Sequence, residues 1–195
     1  MLTQSRSSVS LLNLPAQNVL VPVVETRVQF VQALEKSAVR AMLLHHCNVF
    51  EFSALLGRAC CSGCSVYVNM DHIDGIYADE AGFRYLAEHL HVTGIISSHP
   101  KALATAKQAG LETVQRIFAV DSTGLKMALE SVDTNCVDML DFSPARVVPY
   151  IMPRLKPRLP LPYMASGLLH TADQLQVVLS TGVQAVAVTH LERWL

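Results

Sequence analysis

The chain of 195 residues carries 15 Lys and Arg against 16 Asp and Glu, a formal charge of -1, and is 51% hydrophobic with 16% charged residues. This suffices for one domain around a sizeable core. It excludes intrinsic disorder and a general nucleic-acid coat, so any polyanion contact has to be local. Apolar stretches stop well short of the roughly 18 residues of a membrane span, residues 1–21 lack a signal-peptide pattern, and the five cysteines, an odd number, suit reduced thiols, so the expectation is a cytoplasmic protein without a membrane partner.

Residues 1–17 show no strand pattern but contain an apolar patch at 9–14, suited to capping the base of a barrel or covering an exposed flank. A single domain is expected over 18–195. Short runs rich in Val, Ile and Leu then recur at 19–24, 39–44, 64–70, 92–97, 113–120, 136–142, 161–165 and 184–188. Segments 27–36, 79–89, 100–109 and 123–132 between them place apolar residues at i, i+3 and i+4, the period of a helix. Pro144, Pro149, Pro153, Pro157, Pro160 and Pro162 punctuate the approach to the seventh run, so the sixth helix should be short, kinked or replaced by extended chain. After the eighth run only residues 191–195 remain for a helix.

Strands alternating with helices and no hairpin signal predict a parallel sheet covered by helices. Eight runs, without a Gly-rich dinucleotide fingerprint after the first, favour a TIM-like (β/α) barrel with its last helix short or missing over an open doubly wound sheet. An uncovered barrel flank would call for a homo-oligomer or an N-terminal cover.

In such a barrel the chemistry sits at the C-terminal strand ends. Tyr67, Asn69 and Asp71 share one strand parity and should face inward. Arg116 lies within an apolar strand, where its guanidinium requires either a structural partner, Asp71 or Asp141, or an anionic ligand. Ser166-Gly167 and Thr189-His190 end the seventh and eighth strands, where many barrels bind phosphate. The inner pocket is therefore assigned to Asn69, Asp71, Arg116 and Asp141, and the phosphate end to Ser166, Gly167, Thr189 and His190.

Several strings together resemble the glycerol-3-phosphate-responsive antiterminators, the GlpP-like family. They are Asp71-His-Ile-Asp-Gly75 with Asp79-Glu80, Gly94-Ile-Ile-Ser97-Ser98, Gln115-Arg116-Ile117-Phe118 with Asp121-Ser122, Met152-Pro153, and Ala165-Ser-Gly-Leu-Leu169. The likeness covers nearly the whole chain from the first strand. It implies a barrel that binds glycerol 3-phosphate as an effector, without a cofactor and without turnover, and acts on the mRNA leader of a glycerol-catabolism operon. Where the family has Gly-Gly after strand seven, this chain has Ser166-Gly167.

Two rivals come from the residues themselves. One is a small phosphosugar-metabolising enzyme using Asp71 and Asp141 for acid–base work, although no strand carries a Schiff-base lysine. The other is a metal site drawn from His45, His46, Asp71, His72 and Asp74, with Cys60, Cys61 and Cys64 as a weaker set. For RNA, Arg146, Arg154, Lys156 and Arg158 form a local charge of +4 between residues 142 and 172, against -5 for the rest, which marks a candidate phosphate-facing surface.

Overall fold

A computed structural model describes residues 10–13 and 19–189. Eight parallel strands close into a barrel: β1 Val19–Val24, β2 Ala41–Leu44, β3 Ser65–Asn69, β4 Gly94–Ser97, β5 Glu112–Phe118, β6 Met139–Ser143, β7 Tyr163–Ser166 and β8 Ala185–Val188. Each strand pairs with its sequence neighbours, and β8 returns to pair with β1, matching Val19 to Ala185. Seven helices lie between the strands: α1 Arg27–Glu35, α2 Val49–Ser62, α3 Glu80–Glu88, α4 Pro100–Gln108, α5 Ser122–Glu130, α6 Val148–Leu155 and α7 Ala172–Leu179. The expected TIM-like barrel is what forms, and the open sheet is not. Residues 191–195, the stretch left for an eighth helix, lie outside the described residues.

Helix starts follow from local chemistry. Thr26, Asn48, Asp79, Asp121 and Thr171 each accept a backbone N–H of the first turn of α1, α2, α3, α5 and α7. At α1 the side chain of Gln29 also reaches back to the Thr26 N–H, completing a capping box. The proline-rich stretch keeps α6 to eight residues, between 3-10 turns at Ala145–Val147 and Lys156–Arg158, with Pro153 inside the helix.

Four runs expected to start at 39, 92, 136 and 161 begin their strands two or three residues later. Val39, Val92 and Val137 are buried in the outer core while still preceding the strands, so apolarity marks burial there and not pairing. At the other end of the fifth run, β5 stops at Phe118 and Val120 stands exposed. The loops after β2 and β3 also pair briefly, Cys47–Asn48 with Ile73–Asp74, a ribbon outside the barrel that the run pattern does not show.

Strand alternation divides the core into two shells. Val66 and Val68 of β3 pack outward beneath the helices, while Tyr67 points inward with Leu43, Ile96, Val114, Met139 and Met164. Leu11 belongs to this inner shell at 1% exposure. Its N–H donates to the Tyr67 phenol oxygen at 3.0 Å, and Gln184, just before β8, donates to its carbonyl at 3.2 Å. The described part of the N-terminal segment thus lies at the base of the barrel. Tyr67 in turn donates to Glu112 at 2.5 Å. Burial first, then the Glu112 carboxylate, pushes the phenol pKa up, which keeps it a donor. Gly94 makes room for the ring, since a β-carbon there would stand 2.8 Å from Tyr67 Cε1 and 2.6 Å from the Glu112 carbonyl oxygen.

Candidate functional site

At the C-terminal ends of the strands a cavity of about 220 Å³ opens between β1, β2 and β5–β8. Its walls include Glu25, His45, Arg116, Ser143, Ser166, Gly167, His170 and Thr189. This volume lies below the roughly 300–1,000 Å³ of drug-sized pockets, which suits a small metabolite. Gly167 and Leu168 take left-handed φ values of 82° and 56°, so β7 ends in a sharp turn that brings backbone to the wall. A β-carbon at Gly167 would approach Ser143 Oγ to 3.3 Å.

Arg116 supplies the charge beneath this wall. Its Nε donates to Asp141 Oδ2 at 2.9 Å, with side-chain exposures of 7% and 0% for the two residues. Ser166 Oγ donates to the same carboxylate oxygen at 3.0 Å. The partner required by the buried guanidinium is therefore Asp141 and not Asp71. Among the described residues only Nε of Arg116 is bonded, and the residue still forms part of the cavity wall. Asp141 Oδ1 and Asn69 Nδ2 are buried without a hydrogen-bond partner among the described residues, leaving one acceptor and one donor inside the barrel.

Of the eight residues expected to hold the ligand, Arg116, Ser166, Gly167 and Thr189 come together on the cavity wall. Asp141 lies behind the wall through Arg116 and Ser166, and Asn69 is fully buried in the interior. Asp71 turns elsewhere: Ser97 Oγ donates to it at 2.6 Å and the Ser98 N–H at 2.7 Å, tying the β3 loop to the end of β4. Burial opposes its ionisation, but these bonds outweigh burial and hold its pKa below the ordinary carboxylate value. His190 lies outside the described residues. Thus the two carboxylates considered for acid–base chemistry are each engaged internally, and neither is on the cavity wall. Glu25, Ser143 and His170 are wall residues that the ligand assignment did not include. Glu25 and Ser143 stand at the ends of strands one and six, a signal available in the sequence, whereas His170 lies beyond the β7 turn and has no such marker.

On the β2–β3 side of the rim, ring nitrogens of His45, His46 and His72 all lie within 4.8 Å of one another. His45 Nδ1 is 3.3 Å from Glu25 Oε1. Burial, the largest influence, lowers the His45 pKa against the pull of that carboxylate, and His46, Arg116 and His72 act in the same direction as burial. Asp71 and Asp74 do not join the three rings. Cys60 and Cys61 sit on α2, exposed, while Cys64 is buried just beyond it.

The basic segment forms the β6–β7 connection. Arg146, Arg154, Lys156 and Arg158 are all exposed, and Tyr150, between the first two on helical i, i+4 spacing, is 83% exposed. Lys156 also donates to the Thr181 carbonyl at 2.9 Å, which fastens the segment to the end of α7. Tyr163 is buried with its hydroxyl on Thr181, so Tyr150 alone of the two tyrosines offers a ring to solvent.

Comparison with known proteins places this geometry in context. The family model described as "Glycerol-3-phosphate responsive antiterminator" matches residues 20–194. The uncharacterized protein YgcP of Escherichia coli is 22% identical over 184 residues, covering 94% of this chain and 95% of that protein. Among solved structures, a glycerol uptake operon antiterminator regulatory protein from Listeria monocytogenes superposes with TM-score 0.79 at 24% identity, covering 90% of this chain and 94% of its own. A glycerol uptake operon antiterminator-related protein from Thermotoga maritima superposes with TM-score 0.75 at 22% identity, covering 91% and 98%. A 2,3-dimethylmalate lyase reaches TM-score 0.65 at 11% identity over 90% of this chain and 74% of its own, which reflects the shared barrel. No helix among the described residues is long and apolar enough to cross a membrane.

Proposed function

Because the chain belongs to the glycerol-3-phosphate-responsive antiterminator family, a family of regulators and not of enzymes, we propose that it is a transcription antitermination regulator with glycerol 3-phosphate as its effector. Its target in this reading is the mRNA leader of a glycerol-catabolism operon. The observation that carries the ligand half is the rim cavity, where Gly167 and Leu168 bring backbone close and Ser166, Thr189 and Arg116 add polar groups. Small phosphate esters are held in this way at the seventh and eighth strands of many barrels. Glycerol 3-phosphate fits the size of the cavity, with its phosphate toward the β7–β8 end and its hydroxyls toward His45 and Glu25.

The exposed run of Arg146, Arg154, Lys156 and Arg158 with Tyr150 supports the RNA half. Cations neutralise phosphates and an exposed ring can stack on a base. The test is leader-RNA binding with and without glycerol 3-phosphate, for the wild type and for a variant carrying Arg154→Glu, Lys156→Glu and Arg158→Glu. We expect ligand-dependent binding by the wild type and a loss on the order of a hundredfold or more in the variant, with a shallower salt dependence. Equal affinity in the two proteins would remove this segment from the RNA surface. Absence of binding by the folded wild type, with and without effector, would contradict the proposed target.

A further inference from the structure

We propose that His45, His46 and His72 bind a divalent first-row transition cation, zinc foremost, at the rim beside the cavity. Three imidazoles are brought together from the loops after two neighbouring strands. Their ring centroids are 4.1 Å apart for His45 and His46, 4.6 Å for His46 and His72, and 5.1 Å for His45 and His72. Imidazole nitrogen is a preferred donor for zinc, and three histidines leave a fourth tetrahedral position for water or an anion.

A tetrahedral zinc with bonds near 2.0–2.1 Å holds its nitrogens roughly 3.4 Å apart. The present spacing of up to 4.8 Å therefore needs a closure of about an ångström or somewhat more. His46 and His72 are exposed and free to make it by side-chain rotation. His45 is more constrained, and its constraint suits a ligand: Nδ1 faces Glu25 Oε1 at 3.3 Å, leaving Nε2 for the metal, the arrangement in which a carboxylate fixes the tautomer of a ligating histidine. His46 reaches the cluster from a left-handed backbone with φ 48°, an uncommon conformation for a residue with a β-carbon.

The site shares His45 and Glu25 with the hydroxyl end of the proposed effector cavity and lies away from its β7–β8 phosphate end. Around that cavity Glu25 and Asp141 outnumber Arg116. A doubly charged cation at the histidines would reverse that balance and favour an anionic ligand.

The test uses the full chain without an affinity tag, treated with chelator and titrated with Zn²⁺ alone by calorimetry and with Co²⁺ alone by visible absorption. One equivalent should bind, and Co²⁺ should show a spectrum of nitrogen and oxygen donors without thiolate charge transfer. His72→Ala should weaken binding beyond the roughly 10–100-fold typical of an outer-shell change, and Glu25→Gln should fall within that range. His46→Gly, which tolerates the left-handed backbone, should match His72→Ala and serves if the latter is destabilised. The double variant Cys60→Ser, Cys61→Ser should bind as the wild type does. Failure of the folded wild type to bind either ion stoichiometrically, a thiolate spectrum, or unchanged affinity in both histidine variants would overturn the proposal.

Discussion

The two ends of the barrel draw on inward positions of the same strands and put them to opposite use. At the base, Leu11, Tyr67 and Glu112 form a closed chain of contacts in which the phenol both accepts and donates. At the rim, two or four residues further along the strands, the inward positions are Asn69, Arg116, Asp141 and Ser166, and two buried polar atoms there have no protein partner among the described residues. A base whose polar groups are engaged contributes to stability, whereas the rim keeps polar groups without such partners among the described residues, in keeping with the effector site proposed there. Substitutions at the two ends should therefore separate folding from binding.

The largest effect is expected where the two demands meet. Asp141→Ala leaves the Arg116 guanidinium buried without its carboxylate and should cost about 3–5 kcal/mol, read as a drop in the denaturant midpoint at unchanged slope. Asp141→Asn should cost less, since an amide can still engage Ser166. At the base, Leu11→Ala should cost about 2–3 kcal/mol, near the lower end for a core leucine because a terminal segment can partly collapse. Tyr67→Phe should cost about 1–3 kcal/mol, because it strands the Leu11 N–H and the Glu112 carboxylate. Neither base variant should change effector affinity. A base substitution that weakened the effector as much as a rim substitution would break the division.

The smallest effect is chemical. Burial pushes the Cys64 thiol up to about 11, with Arg40 pulling slightly the other way. At pH 8 only about one Cys64 side chain in a thousand is thiolate, so iodoacetamide should modify the exposed Cys60 and Cys61 first. Raising the pH toward 11 increases the thiolate fraction and should speed Cys64 alkylation in the folded protein. Peptide mapping after timed labelling reads this order, and early labelling of Cys64 would mean that the end of α2 opens.

Much of the barrel was legible because its information is local. Alternation in β3 already put Tyr67 and Asn69 inside and Val66 and Val68 outside, and the structure follows it. Strand starts were less legible, since Val39, Val92 and Val137 are apolar for packing beneath helices and not for pairing. At the site, the sequence pointed to an inner pocket of Asn69, Asp71, Arg116 and Asp141 and a phosphate end of Ser166, Gly167, Thr189 and His190, and of these eight Arg116, Ser166, Gly167 and Thr189 line the cavity. What spacing alone left open was the choice among partners. Arg116 could have met Asp71 or Asp141, and it meets Asp141 because the β5–β6 register sets Arg116 directly opposite it. Asp71, two residues past Asn69, has left the barrel interior and binds Ser97 and Ser98 instead. Likewise, five metal-ligand candidates reduce to three histidines only once the loops are in place.

The most direct test of the rim as an effector site is a calorimetric titration of the folded wild-type chain with glycerol 3-phosphate, beside glycerol as the uncharged control. The account predicts saturable binding of one glycerol 3-phosphate per chain and none of glycerol. Absence of binding at millimolar glycerol 3-phosphate, or equal binding of glycerol, would contradict it.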